Sequence, residues 1–488
     1  MTANMKQRKT HIWLITTDQM RADAFGMENS TVITPVLDGM AREGIVFDRS
    51  YCTSPVCTPS RASIFTGRYP HIHGAWNIGV SLNENEVTLC DHLKKLNYAT
   101  VGVGKMHFRP QCKPNGTNEA EVPAYRDRGR EWDNTYYGFD QHYITEDNGI
   151  GMYADWLSEQ SQDWAERFRR DHGRSDDAAG DVWESEMPPE LTQTYWTADR
   201  SIKAIEDHND DRPLFLWTSF VDPHHPFNPP RSYADLYSNA DIRLPSSTKI
   251  ARPDRPEHLL RQGGNYWPGG GEAHTRDEDN LRRLIRNYYA MITFIDEQIG
   301  RIRDAWRAKE MYDDVLVVFT ADHGELLGDH GLLYKGPWFY EGLTRVPMIV
   351  RGPGIRSGHR TSALMENVDI VPTLLDALGQ ECPYGVQGVS QLPVMKGQAE
   401  VIRNSVMTTY DAHDRGIHAK CMRTDKYKLV LFEGEAYGEL FDLESDPGET
   451  TNHFFNPIYR EIKYGLMETM LQRLIGWQDP LPQRKALW

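Results

Sequence analysis

Four short apolar segments of this 488-residue chain are each followed at once by polar residues. The segments are residues 11–16, 99–103, 213–221 and 315–320, and helix-like stretches separate them. This alternation is typical of a largely parallel, doubly wound sheet. In such a sheet, ligands collect at the carboxyl ends of the strands. We therefore expect an α/β fold in which the polar residues after these segments converge on one site.

The residues that follow the four segments are of types that bind metals and move protons. They are, in chain order, Asp18 and Gln19, Lys105 and His107, His224 and His225, and Asp322 and His323. Carboxylate and amide oxygens with a single imidazole suit a hard divalent cation, whereas a zinc site would use more His and Cys. The sequence therefore favours a Ca²⁺ site, with Mg²⁺ or Mn²⁺ as alternatives.

Charge and hydropathy exclude several classes of protein. Acidic residues outnumber basic ones by 70 to 54, and no block of clustered Lys and Arg offers a nucleic-acid surface. No apolar run is long enough to span a membrane, and the apolar stretch at 12–15 is too short for a signal peptide. Six sparse cysteines suggest free thiols in a reducing compartment. We expect a cytoplasmic protein.

The predicted secondary-structure pattern changes after about residue 390. Alternating helices and strands give way to strands that look antiparallel and to a terminal helix. We predict an α/β catalytic domain over 1–390 and a small α+β subdomain with an antiparallel sheet over 391–488. Two polar, aromatic-rich segments, at about 108–190 and 226–274, interrupt the first pattern. We expect them to be insertions that shape the pocket. The oligomeric state is open, and a homo-oligomer is one alternative.

Residues 57–67 read C-T-P-S-R-A-S-I-F-T-G. This stretch resembles the signature C-x-P-S-R-x-x-x-x-T-G of the type I, formylglycine-dependent sulfatases. Further motifs extend the resemblance in order over nearly the whole chain: T-T-D-Q, V-G-K-M-H, D-P-H-H-P-F, T-A-D-H-G-E and D-L-E-S-D-P-G-E-T-T-N. The resemblance implies an alkaline-phosphatase-like fold, with a large, mostly parallel sheet sandwiched by helices.

The resemblance also implies that Cys57 does not persist as a thiol. In this family a formylglycine-generating enzyme oxidises that cysteine to formylglycine, an aldehyde whose hydrate is a geminal diol. One hydroxyl attacks sulfur, and deprotonation of the second expels sulfate and regenerates the aldehyde. Covalent catalysis then divides one difficult displacement into two easier steps.

Site roles follow from the same resemblance. Asp18, Gln19, Asp322 and His323 resemble the metal ligands, with position 57 completing the shell; Gln19 stands where the family commonly has Asp. Arg61 would hold the diol and sulfate oxygens. Lys105 and His107 resemble the pair beside the aldehyde, and His107 is the candidate base. His224 and Lys335 resemble the pair beside the leaving-group oxygen; the usual pattern P-H-x-P favours His224 over His225.

These residues predict hydrolysis of a sulfate monoester to an alcohol and inorganic sulfate. A phosphonate monoester or phosphodiester hydrolase is the nearest alternative, although such relatives lack the serine that this chain has at Ser60. A non-catalytic anion-binding protein with unmodified Cys57 is another. A phosphatase of the alkaline type would need a Ser or Thr nucleophile and more metal ligands. The substrate, whether a sugar, aryl, choline or other sulfate ester, stays open.

Overall fold

The structure is a computed structural model that describes residues 9–110, 136–172, 181–249 and 277–483. Within these ranges the strands are β1 His11–Thr17, β2 Ile45–Tyr51, β3 Ala99–Gly104, β4 Gln141–Ile144, β5 Leu214–Phe220, β6 Val315–Ala321, β7 Arg345–Val346, β8 Met348–Arg351, β9 His359–Glu366, β10 Ser405–Ala412, β11 Ile417–Thr424, β12 Tyr427–Phe432 and β13 Gly438–Asp442.

The helices of the described residues alternate with these strands along most of the chain. They are α1 Pro35–Glu43, α2 Cys57–Thr66, α3 Pro70–His73, α4 Leu89–Lys95, α5 Met152–Gln160, α6 Gln162–His172, α7 Gln193–Glu206, α8 Arg231–Ala234, α9 Glu278–Ala308, α10 Glu341–Thr344, α11 Ile370–Ala377, α12 Leu392–Met395 and α13 Arg460–Gly476. The long helix α9 begins after Asp277, whose side chain accepts hydrogen bonds from two first-turn amides.

The described strands β1 to β9 form one mixed sheet. Its order is β4-β3-β5-β1-β6-β8-β2-β7, and β9 pairs with β2. The first five strands in this order run parallel, and β8 then pairs antiparallel with both β6 and β2. The four segments predicted from the sequence are β1, β3, β5 and β6, which are neighbours in the order β3-β5-β1-β6. The expected α/β fold is confirmed.

Both faces of the central strand β1 are covered by helices. Ile12 and Leu14 pack on one face with residues of α2, α4 and α11, whereas Trp13 and Ile15 pack on the other with residues of α1, α7 and α9. All four side chains are fully buried. A strand that is apolar on both faces is typical of a parallel sheet between two helical layers.

The segment 108–190 does more than cover the sheet as an insertion. Its described part supplies β4, which pairs in parallel with β3 as the edge strand of the main sheet. The prediction missed this strand because four residues carry little periodicity and burial does not alternate along Gln141–Ile144. Residues 111–135, 173–180 and 250–276, including Cys112 and most of the second predicted insertion, lie outside the described residues.

A second sheet lies in the C-terminal part of the chain, as the sequence predicts. It is antiparallel, with the order β10-β11-β12-β13, and α13 packs against it. The Thr409 amide donates to the Thr53 carbonyl at 2.8 Å, which joins this sheet to the loop before α2. The domain boundary near residue 390 stays a prediction.

Of the helices in the described ranges, none combines the length and apolar character that a membrane span requires. The five cysteines in those ranges form no disulfide with one another. The cytoplasmic location stays a prediction.

Gly104 lies where β3 contacts the backbone of β5, and a substitution there tests whether this contact leaves room for a side chain. Its φ is 101°, and a Cβ added there would lie 1.8 Å from the Ser219 carbonyl oxygen. We expect Gly104→Ala to lower the free energy of unfolding by at least about 2 kcal/mol, because both the backbone and the strand contact are strained. It should also displace Lys105, the residue that follows.

Gly39→Ala is the matched control. Gly39 lies inside α1 with no atom within 4 Å of an added Cβ, so this change should raise stability by about 0.5–1 kcal/mol. Chemical denaturation of both variants checks the pair. Equal stability of the two would contradict the proposed strand contact.

Candidate active site

The carboxyl ends of β1, β3, β5 and β6 bring the predicted site residues together. Asp18, Cys57, Asp322 and His323 each offer a ligand atom, and these four atoms lie within 4.8 Å of one another. All four side chains are buried, and none is more than 1% exposed. The convergence expected from a parallel sheet is therefore present in the structure.

Arg61 connects all four strand ends. Its Nε donates to Asp322 Oδ2 at 2.7 Å, and one Nη donates to Asp18 Oδ2 at 3.1 Å. The other Nη donates at 2.8 Å to the Lys105 carbonyl and to Ser219 Oγ. The guanidinium is fully buried. Its hydrogen bonds in the described residues thus go to two carboxylates, a backbone carbonyl and a hydroxyl of the site. Its role in holding the diol and sulfate oxygens stays a prediction.

Cys57 is the first residue of α2, and Val56 at the N-cap position makes no side-chain cap hydrogen bond. The positive end of the helix dipole therefore adds to the local attraction for an anion. Lys335 Nζ lies 2.8 Å from Cys57 Sγ, and His323 Nε2 lies 3.4 Å from it. Burial, reinforced by Asp18, raises the pKa of the Cys57 thiol despite the nearby ammonium groups.

The chemistry of the donor set fits a hard cation. Asp18 Oδ1 and Gln19 Oε1 are buried and have no hydrogen-bond partner among the described residues, and such buried oxygens are costly unless an ion or another group binds them. His323 Nδ1 lies 2.8 Å from the Gly324 carbonyl, which leaves Nε2 available as a ligand. These residues therefore fit the divalent cation that the family implies.

Glu325 and His225 hold the amide of Gln19 in place. Gln19 Nε2 donates to Glu325 Oε2 and lies 3.3 Å from His225 Nδ1. The backbone amide of Gln19 donates to Asp322 Oδ1 at 3.0 Å. With its nitrogen side fixed in this way, the Gln19 side chain keeps its oxygen for a ligand role. Glu325 supplies a carboxylate next to the position where the family commonly has Asp.

Lys105 lies between two carboxylates. Its Nζ is 2.8 Å from Asp18 Oδ2 and donates also to Asp147 Oδ1. Burial alone would lower the pKa of Lys105, but Asp147 and Asp18 outweigh it and hold that pKa well above its usual value. Lys105 is therefore a permanent cation at this site. Burial likewise opposes ionisation of Asp18, yet Lys105 and Lys335 keep the pKa of Asp18 well below its usual value.

His107 is oriented by Glu146. The backbone amide of His107 donates to Glu146 Oε1 at 3.0 Å, and the ring Nδ1 lies 3.1 Å from Glu146 Oε2. Burial lowers the pKa of His107, but the Glu146 carboxylate outweighs it and raises the pKa above the usual value. The Nε2 atom is buried and has no hydrogen-bond partner among the described residues.

His224 and His225 stack on each other but face different neighbours. Their ring centroids are 4.0 Å apart, and His224 Nδ1 lies 2.6 Å from the His225 carbonyl. Burial, with Lys335 next, lowers the pKa of His224 to about 3. His224 therefore lies in the field of the site's cations as a neutral imidazole, whereas the His225 ring contacts Gln19 and Tyr334.

Sequence reasoning missed Glu146, Asp147 and Asn367. The first two follow β4, so the same rule that found Asp18 would have found them if β4 had been recognised. Asn367 follows β9; its Nδ2 donates to Ser60 Oγ at 3.3 Å and to the carbonyls of Ala321 and Asp322. Nothing in the sequence near Asn367 indicates that the chain returns there to the start of α2.

Comparisons with known proteins identify related chains. A family model described as Sulfatase matches residues 10–380, and a second, N-sulphoglucosamine sulphohydrolase, C-terminal, matches residues 328–475. An arylsulfatase of Clostridium perfringens is 30% identical, covering 96% of this chain and 95% of its own. A choline-sulfatase of Rhizobium meliloti is 29% identical, covering 93% of this chain and 84% of its own.

A solved structure with the same fold is the phosphonate monoester hydrolase of Agrobacterium radiobacter. It has a TM-score of 0.83 and 25% sequence identity, and 98% of each chain is covered. The first family model spans most of this chain, and it includes the signature at the start of α2, the strand ends and the buried ligand cluster. The chain therefore belongs to the sulfatase family of sulfuric ester hydrolases.

Proposed function

We propose that this protein hydrolyses a small-molecule or carbohydrate sulfate monoester, with formylglycine made from Cys57 as nucleophile and one divalent cation, Ca²⁺ by preference. The observation that carries the proposal is the position of Cys57, at the amino end of a buried helix and within 4.8 Å of three further potential ligands. Maturation requires a formylglycine-generating enzyme as a partner.

Asp18, Gln19, Asp322 and His323 would hold the cation, and position 57 would lie beside it. When bound, a divalent cation stabilises negative charge on the sulfuryl oxygens and favours the ionised nucleophile. The hydrated aldehyde supplies two hydroxyls on one carbon, one for attack on sulfur and one for release of sulfate. Arg61 holds the Asp18 and Asp322 carboxylates in position through hydrogen bonds of 3.1 Å and 2.7 Å.

The remaining side chains divide the proton transfers. His107, oriented by Glu146, accepts the proton whose loss expels sulfate, since its Nε2 is not engaged by any described residue. Lys335 donates a hydrogen bond to the side chain at position 57, and Lys105 faces the same carboxylate, Asp18, from the other side. His224 and Lys335 are the pair for the leaving-group oxygen, and the ammonium group of Lys335 supplies its proton. His224 is neutral and its Nδ1 faces the His225 carbonyl, so its Nε2 carries no proton to donate.

A second candidate function is the hydrolysis of phosphonate monoesters or phosphodiesters. The solved phosphonate monoester hydrolase with a TM-score of 0.83 favours it. Such esters carry one negative charge, as sulfate monoesters do, so the same cationic groups suit both. Ser60 favours the sulfatase, because the resemblance implies that hydrolases of the other kind lack this serine. In this chain its Oγ donates to the Asp322 carbonyl at 2.5 Å.

The mass of the tryptic peptide 50–61 tests the modification directly. This peptide contains both Cys52 and Cys57, so Cys52 is an internal control. After denaturation and alkylation we expect a single thiol adduct, at Cys52, and a carbonyl at position 57 that reacts with a hydrazine. Two thiol adducts in protein from its native host would instead indicate the non-catalytic, anion-binding alternative.

Substitution of the nucleophile should abolish turnover. In Cys57→Ser the introduced hydroxyl lacks the second oxygen that releases sulfate, so we expect kcat to fall at least about 1,000-fold. Cys52→Ala is the matched control: Cys52 is fully buried and its Sγ contacts the Leu343 carbonyl at 3.9 Å. It should keep kcat near the wild-type value. A Cys57→Ser enzyme with wild-type turnover would refute the mechanism.

Removal of the cation should destabilise the protein, because Asp18 and Asp322 then repel each other. Adding Ca²⁺ to chelator-treated protein at 100 times its Kd should restore about 2.7 kcal/mol, seen as a rise in melting temperature. Asp18→Asn should lose most of this response. Asp369→Asn is the matched control, because it removes a buried carboxylate outside the cluster. This variant should keep the rise in melting temperature on adding Ca²⁺. Equal responses in the two variants would place the cation elsewhere.

A further inference from the structure

Asp147 is a further carboxylate at a site whose proposed substrate is an anion. Its Oδ1 accepts a hydrogen bond from Lys105 Nζ, the same ammonium group that lies 2.8 Å from Asp18 Oδ2. Neither the family signature nor the resemblance assigns a role to this position. Lys105 therefore has two carboxylate partners, and Asp147 offsets much of the charge that Lys105 presents to a ligand.

The loop that carries Asp147 is held rigidly. Asp147 opens a 3-10 turn after β4, and the Glu146 amide closes that loop by donating to the Ile150 carbonyl at 2.7 Å. Gln193 Nε2 donates at 2.8 Å to the Glu146 carbonyl, and Gly149 adopts φ 66° against the ring of Phe168. The position of the carboxylate is thus fixed by the backbone rather than by Lys105 alone.

Asp147 lies on the accessible side of Lys105. Its side chain is 15% exposed, whereas the side chains of Asp18 and Lys105 are fully buried. It is close enough to His224 for each to shift the pKa of the other towards the charged form. Since His224 is one of the pair proposed for the leaving-group oxygen, the Asp147 carboxylate lies near the position of the bound ester.

We propose that Asp147 is a specificity-determining residue that makes the site select singly charged esters over doubly charged phosphate monoesters. The inference rests on the proposed function, because it concerns the ester that the same site binds. The chemical class it selects comprises sulfate monoesters, phosphodiesters and phosphonate monoesters, each with one negative charge.

The physical basis is that Coulomb repulsion is proportional to the charge of the ligand. A fixed carboxylate at a given distance disfavours a dianion twice as much in free energy as a monoanion in the same position. A phosphate monoester is largely a dianion above its second pKa of about 6, whereas a sulfate monoester never carries more than one charge. Loss of the Asp147 charge therefore benefits the phosphate monoester more.

The test compares Asp147→Asn with wild type on three esters of nitrophenol at pH 8: the sulfate, the bis-ester of phosphate and the phosphate monoester. Asparagine keeps an oxygen for Lys105 and removes only the charge. We expect kcat/KM for the phosphate monoester to rise about tenfold or more relative to that for the sulfate. The ratio of kcat/KM for the phosphodiester to kcat/KM for the sulfate should not change, because both esters carry one negative charge.

Asp140→Asn is the matched control for charge. Asp140 precedes β4 at its opposite end and pairs with Lys94 at 3.0 Å and Arg212 at 3.2 Å. The Asp140→Asn substitution removes the same charge next to the same strand but away from the site. The kcat/KM values for the three esters should therefore keep their wild-type ratios. If Asp147→Asn folds poorly by melting temperature, Asp147→Ser provides the same charge removal.

The outcomes separate this inference from the proposed function. A wild-type protein that carries the modification at position 57 but cleaves none of the three esters would refute the proposed function. If wild type is active and Asp147→Asn lowers all three rates by one factor, Asp147 only positions Lys105, and the inference is wrong. A rise confined to the dianionic ester supports it.

Discussion

The site depends on one buried guanidinium. Arg61 extends from the first turns of α2 and donates to groups at the ends of β1, β3, β5 and β6. It therefore fixes the helix that carries Cys57 to the sheet that carries the acidic ligands. Breaking a fully buried ion pair on one side costs about 3–5 kcal/mol, because the remaining charge has no solvent. The architecture and the chemistry therefore both depend on this one side chain.

Charge balance explains the rest of the arrangement. Asp18 Oδ1, on one of the two carboxylates that accept from Arg61, and the amide oxygen of Gln19 stay without a hydrogen-bond partner among the described residues. A divalent cation bound there would satisfy these oxygens and balance the charge, and Lys105 and Lys335 approach Asp18 as further cations. Further carboxylates, Glu146, Asp147 and Glu325, orient or offset the cationic and polar groups. Such a preorganised site has little left to rearrange when charge develops on a substrate.

Sequence reasoning succeeded where a residue follows a long apolar strand. Asp18, Lys105, His224 and Asp322 were found this way, because parallel strands end at one edge of the sheet, and the signature located Cys57. It failed where the structural signal is short or distant: β4 has four residues, so Glu146 and Asp147 went unnoticed. Asn367 approaches Ser60 through tertiary packing alone. The bonding of Arg61 to four strand ends was equally invisible, because a sequence does not show which acceptors a buried arginine finds.

Anomalous X-ray diffraction from crystals of the mature protein grown with Ca²⁺ tests the central claim most directly. The account predicts a single cation peak about 2.3–2.6 Å from oxygens of Asp18, Gln19 and Asp322. It also predicts density for two oxygens, and none for sulfur, on the side chain at position 57. An intact thiol at position 57, or a cation bound away from these carboxylates, would contradict it.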